Sequence, residues 1–202
     1  MESGPLDCLP VFDLPGIVFF PHTLLPLHVF EPRYRAMTRD CLEHSLPMAV
    51  GSPDQEVLGV GRILRHQEME DGRFNIVLEG MGRVNLVEEL SQRDGYRRFK
   101  AEMLTTPFLP VADARRNMDI MRACLPRLGS RWPEPTAALS ELLEGAVDAS
   151  ILADRLASSL CPDPDHRQLI LETLSPEDRL GRVVERILEL VQASSEPTLE
   201  VH

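Results

Sequence analysis

The 202-residue sequence predicts an α+β protein: a curled antiparallel β half with one early helix, then an all-helical half. Two observations lead there. From Leu9 to Leu104 apolar residues alternate in short runs broken by turn signals, among them Asp71-Gly72 and Asp94-Gly95. After "TTPFLPVAD" the apolar period lengthens to that of a helix and stays there.

Each element has its own justification. "LPVFDLPG" alternates and stops at Pro15-Gly16, and "LLPLHVF" is a second strand. A helix opens at Pro32, where the missing N–H of proline costs nothing, and runs to about His44 with Tyr34, Met37 and Cys41 on one stripe. "MAV" at Met48 is a short central strand. "VLGVGRILRHQEM" and "RFNIVLEG" form a hairpin about Asp71-Gly72, turning Phe74, Ile76 and Leu78 inward. "RVNLVEEL" and "YRRFKAEML" form another, with Phe99, Ala101 and Met103 facing in and Arg98, Lys100 and Glu102 facing water. Such closely spaced strands with glycine at the corners predict a small barrel or strongly curled sheet.

In the second half, Ala114, Met118, Met121, Leu125 and Leu128 form a stripe that Pro126 must end or kink. "GSRWPEPT" reads as a Pro-rich loop. Ala149 to Leu160 is a helix closed by Pro162, and Asp163-Pro164 and Ser175-Pro176 each open a further helix by cap and proline. The last helix carries Leu180, Val183, Val184, Ile187, Leu188 and Val191, a stripe wide enough to pack on other helices. The expected division is a β subdomain over 1–108, a helical subdomain over 109–193, and a flexible tail over 194–202.

Composition narrows the function. Net charge is −11, with 16 acids against 11 bases in residues 1–110 and 16 against 10 in 111–202, so the acidity is general. A phosphate backbone is repelled on average, which disfavours nucleic acid. Cys8, Cys41, Cys124 and Cys161 are widely spaced without a C-x-x-C, which suits free thiols in the cytoplasm. No segment reads as a signal peptide or membrane span.

The residues also carry a specific likeness. "LPVFDLPGIVFFPHTLLPLHVFEPRYRAM" resembles the opening of the Lon protease N-terminal domain, roughly L-P-L-F-P-L, F-P, then L-P-L-x-I-F-E-P-R-Y. "DGRFNIVLEGMGRVNLVE" is similar to that family's D-G-R…G-x-x-R segment, and "RQLILETLSPEDRLGRVVERILEL" to its helical end. Asp13 stands where a proline is usual, and Val84 where phenylalanine often stands. The resemblance implies a PUA-like β-barrel followed by a helical bundle. It implies a substrate-binding role: a free-standing, non-enzymatic module or adaptor that holds unfolded or client polypeptides, in company with a protease or chaperone complex.

The chemistry of a full Lon protease is not expected here. A P-loop needs G-x-x-x-x-G-K-[ST], and a Ser–Lys dyad needs a lysine that can lose its proton. Lys100 is the sole lysine and sits on a wet strand without those glycines. No cofactor is expected. The competing readings are a hydrolase with an unrecognised site and RNA binding through the barrel, the latter using a local cluster of Arg93, Arg97, Arg98 and Lys100.

Four groups of residues invite a sharper reading. His28 and Glu31, with His22 nearby, resemble part of a metal site, yet Leu24, Pro26 and Phe30 share the parity of His28 and make that face apolar, so no metal is expected. Cys41 and His44 are three apart on a helix, but Cys41 continues an apolar stripe. Glu31, Pro32, Arg33 and Tyr34 read as scaffold: Glu31 caps the helix or pairs with Arg33 or Arg35, while Tyr34 enters the core. Phe19 and Phe20, in a loop stiffened by Pro15 and Pro21, cannot both turn inward from a strand. One of them, or Trp132, is the expected anchor for a protein partner.

Overall fold

The computed structural model describes the backbone of residues 5–130 and 133–195, and the side chains of residues 6–130 and 136–192. The chain divides into two compact units, one formed by residues up to Thr105 together with Asp163–Glu172, the other by Thr106–Pro162 and residues from Thr173 onward.

Six strands make the sheet of the first unit: β1 (Pro5–Asp13), β2 (Leu24–Val29), β3 (Met48–Gly51), β4 (Val57–Glu68), β5 (Phe74–Arg93) and β6 (Tyr96–Leu104). Their order is β2-β5-β4-β3-β1-β6, and β5 also pairs with β6. Strands β5, β4, β3, β1 and β6 therefore close a ring, while β2 is added along the first part of β5. Among the described residues only β1 and β3 run parallel; helix α1 (Pro32–His44) lies in the connection between them.

Both predicted hairpins are present, with Gly72 and Gly95 at positive φ in their turns. "RFNIVLEG" and "RVNLVEEL" are a single 20-residue strand rather than two. Gly80 and Gly82 let it bend without breaking: a Cβ on Gly80 would lie 2.2 Å from the carbonyl oxygen of Phe20, and one on Gly82 2.7 Å from Cε of Met103. Phe74, Ile76 and Leu78 point into a core with Phe12, Phe19, Val29, Tyr34, Met37 and Cys41, and Phe99 and Ala101 into a second cluster with Leu9, Val11 and Val84.

The other helices are α2 (Arg115–Gly129), α3 (Pro133–Glu144), α4 (Ala149–Leu160), α5 (Pro164–Glu172) and α6 (Pro176–Ser195). Helix α2 runs on past Pro126 to Gly129, so the proline does not end it. The Pro-rich loop needs correction as well: Pro133 and Pro135 lie in the first turn of α3, where helix N–H groups lack intrahelical partners and prolines are tolerated. Asp148 caps α4 by accepting from the N–H of Ser150 at 2.8 Å. The side chains of Asp163 and Ser175 do the same for α5 and α6 at 3.1 and 3.3 Å.

Helix α5, helical by period, belongs to the β unit. Arg83 on β5, almost fully buried, donates from Nε to the Leu171 carbonyl at 2.7 Å. Gln168 donates to the Val57 carbonyl at 2.9 Å, and Arg167 to that of Val18 at 3.0 Å. A buried guanidinium is costly unless its donors are used, so these bonds fix α5 at one place on the barrel.

Candidate functional site

The junction after β2 is built as scaffold. Glu31 is the N-cap residue of α1 and its carbonyl receives the first helical bond, from Arg35 N–H at 2.9 Å. Its carboxylate makes no cap bond and instead takes the Nε–H of Arg33 at 2.9 Å. Tyr34 is buried, with its ring 4.2 Å from that of Phe12 and its hydroxyl donating to the Asp13 carbonyl at 3.0 Å. Burial raises its pKa. Lower on the same stripe, burial pushes the Cys41 thiol up to about 12, which makes it a packing residue and no nucleophile. His44 turns Nδ1 to the helix carbonyl of Asp40 at 3.0 Å. Asp40, Glu43 and His44 do converge, but the Asp40 carboxylate is taken by the Tyr96 hydroxyl at 2.6 Å and by Arg93 at 3.3 Å.

Phe19 and Phe20 are both buried, at 2% and 1% exposure, which corrects the expectation of an exposed aromatic in that loop. The alternation argument does not apply because residues 17–20 are not in a strand. They thread a slot made by glycines: a Cβ on Gly59 would sit 1.7 Å from the Phe19 carbonyl oxygen, and one on Gly61 2.6 Å from the Phe19 ring. Trp132 lies outside the described residues.

The cluster of bases around the β5–β6 turn is largely neutralised. Arg97 binds Glu89 at 2.7 Å, raising its own pKa and lowering that of Glu89; Lys100 binds Glu88 at 2.6 Å; Arg93 binds Asp40. The bond to Glu88 raises the pKa of Lys100, the opposite of what a proton-abstracting lysine requires.

What the structure leaves open is the outer face of β2 and its neighbours. Leu24 and Phe30 are each 60% exposed, Pro26 and His28 are exposed with them, and Leu64 on β4 is 43% exposed. Register places Pro26 beside Val77 and Val77 beside Arg65, and His28 beside Asn75 and Asn75 beside Gln67. These residues and His66 border an open groove of about 540 Å³. His28 shares a hydrogen bond with Asn75 at 2.7 Å, and Arg73 lies 3.3 Å from its other nitrogen. In the second unit an apolar groove of about 450 Å³ runs past Phe108, Leu142, Val147 and Ile151, with Phe108 and Val147 largely exposed.

A closed barrel bearing an added edge strand, a helical unit, and apolar patches ringed by polar side chains define the class of a recognition module. The family model for the substrate-binding domain of ATP-dependent protease La (LON) matches residues 8–189, and the chain belongs to that family. It is 28% identical over 200 residues to a Lon protease of Desulfatibacillum aliphaticivorans, a match covering 90% of this chain and 24% of that protein. It is 25% identical to Lon protease 2 of Myxococcus xanthus, over 88% of this chain and 23% of that protein. The chain thus spans about a quarter of the length of these relatives. Two solved structures share the fold. The N-terminal domain of a Mycobacterium avium complex Lon protease has a TM-score of 0.73 at 14% identity, covering 91% of this chain and 99% of that one. A Lon N-terminal domain protein from Xanthomonas campestris has a TM-score of 0.66 at 21% identity, covering 89% and 98%. Among the described residues no helix is long and apolar enough to cross a membrane.

Proposed function

We propose that this chain recruits unfolded polypeptide for a protease or chaperone partner and carries out no ATP hydrolysis or proteolysis itself. The observation that carries the reading is the exposed apolar surface of Leu24, Pro26, Phe30 and Leu64 in a chain whose residues 8–189 match a substrate-binding family. Unfolded chains expose apolar side chains, and an apolar patch with a polar rim is the surface that holds them. The protonated, ion-paired Lys100 supports a binding role over a hydrolytic one, and the paired arginines of β5 and β6 weigh against RNA. Four free cysteines suit work in a reducing compartment.

The test is a titration of a labelled, reduced and alkylated unfolded protein against wild type and a Leu24→Ser/Phe30→Ser variant. Both side chains are mostly in water, so the variant keeps the wild-type melting temperature and loses ~1–3 kcal/mol of binding. Absence of binding to the wild type overturns the reading. Unchanged affinity in the folded variant moves the surface to the Phe108–Val147 groove.

A further inference from the structure

We propose that β2 is an acceptor edge, and that an extended apolar segment of the client adds to the sheet as a further strand alongside Leu24–Val29. This rests on the polypeptide-binding reading and specifies how the polypeptide is held. Among the described residues strand β2 pairs with β5 alone, so one of its sides has no partner strand there. Gly80 N–H donates to the Thr23 carbonyl at 2.9 Å, and Thr23 stands one step before the Leu24–Glu79 pair. Main-chain direction alternates along a strand, so Leu25, Leu27 and Val29 turn their polar groups toward β5 while Leu24, Pro26 and His28 turn theirs away. Pro26 agrees with this, since a proline sits in a sheet only where no ladder donor is needed. The free side therefore offers N–H donors at Leu24 and His28 and carbonyl acceptors at Leu24, Pro26 and His28. The ligand complementary to alternate donors and acceptors along an edge is another strand.

Of the usual edge guards this strand has Pro26, which withholds a single outward donor, and lacks charge. Exposed edge strands are commonly blunted by charged side chains, and Leu24–Val29 contains none. Its outward side chains are instead apolar or imidazole, and alternate side chains of an added strand would lie beside Leu24, Pro26 and His28. Charge then selects among segments. The carboxylates on this face are already engaged, Glu79 by Arg62 at 2.8 Å and Asp71 by Arg73 at 2.6 Å, while Arg65 has no ion pair among the described residues. On a chain of net charge −11 the residues bordering this groove include Arg65 and no acid, and Arg73 stands beside the ring of His28. The occupant is therefore an extended, apolar, neutral-to-acidic segment of an unfolded chain.

The probe is a fluorescein-labelled peptide of about ten residues, alternating valine and threonine with one central glutamate, compared with the same peptide N-methylated at its central amides. The unmodified peptide binds, and methylation, which removes several hydrogen bonds, weakens it ~10-fold or more. Amide exchange at Leu24 and His28 slows in the complex, while that at Leu25 and Leu27 does not change. His28→Pro removes an outward donor and lowers affinity; the double variant Leu24→Ser/Phe30→Ser lowers it while leaving the sensitivity to methylation. Equal affinity of both peptides, with unfolded protein still bound, overturns strand addition and leaves the recruiting function standing. Failure to bind either peptide or unfolded protein overturns both. Slowing of Leu24 and His28 exchange with rising protein concentration in the absence of peptide assigns the edge to a second copy of the chain, and overturns the proposal too.

Discussion

Two helices of this protein begin alike and are held differently. Helix α1 opens with proline at its first position and Arg33 at its second; α6 opens with Pro176 and has Arg179 one turn on. Arg33 meets Glu31 in water, both side chains being over 40% exposed. Arg179 meets Asp154 at 3.0 Å with neither accessible, and spends its remaining donors on Ser150 Oγ and the Thr173 and Leu174 carbonyls. A cation near a helix N-terminus opposes the macrodipole, so Arg179 is tolerated there because of this cage. The motif most conspicuous in the sequence, Glu-Pro-Arg-Tyr, thus contains the weaker ion pair, and the stronger constraint lies in the plainer run "SPEDRLGR".

The largest effect that would test this contrast is loss of one partner of the buried pair. Asp154→Ala takes the carboxylate away from a fully buried guanidinium and costs ~3–5 kcal/mol in denaturant unfolding. The double variant Asp154→Leu/Arg179→Met removes both charges and recovers much of that loss, because burying the pair was itself expensive. A double variant no more stable than Asp154→Ala would mean that the carbonyl bonds of Arg179, and not its charge partner, anchor the start of α6.

A second test asks what does hold α1 if its exposed ion pair does not. Its buried stripe includes Cys41, whose thiol titrates near 9.0 when unfolded and at about 12 when folded. Below pH 9 both states carry the proton and the stabilising term is fully present. Between 9 and 12 the unfolded state ionises first, so stability falls as pH rises. By pH 10.5 the loss is about 2 kcal/mol, and the raised pKa values of Tyr34 and Tyr96 add to it above pH 10. The check is unfolding free energy against pH for wild type and Cys41→Ala. The variant should show a flatter decline from pH 9 to 10.5, and parallel curves would remove Cys41 as the cause.

The sequence disclosed the fold better than the site, for a physical reason visible in β2. Alternation and turn glycines were enough for the strands because a half-buried strand must alternate. Along β2 and the residue after it, however, both parities are largely apolar: Leu25, Leu27 and Val29 on one, Leu24, Pro26 and Phe30 with His28 on the other. Period alone cannot say which faces water. Register decides it, since Leu25, Leu27 and Val29 stand opposite the inward Leu78, Ile76 and Phe74. The same limit applies to Phe19 and Phe20, whose burial depends on glycines some 40 to 60 residues later in the chain. Helix α3 was hidden by prolines that mark loops in most contexts and a helix start in this one.

The smallest expected effect belongs to the most legible motif. Were Glu31 a cap, its loss would cost ~0.5–2 kcal/mol. Its carboxylate contacts no helix N–H, so Glu31→Ala removes only an exposed ion pair, worth ~0–1 kcal/mol. Arg33→Ala should cost slightly more, because the guanidinium also lies 4.4 Å from the centre of the Tyr34 ring, a contact worth ~0.5–1 kcal/mol where exposed. The two losses should be sub-additive, since each single variant already breaks the shared bond. Adding 0.5 M salt should shrink the Glu31 effect toward zero through screening and leave most of the ring contact intact. Denaturant melts of both singles and the double, at low and high salt, measure all of these differences. A Glu31→Ala loss above 2 kcal/mol that persists in salt would show that the carboxylate supports the helix start directly, and the two arginine pairs would then differ less than their burial says.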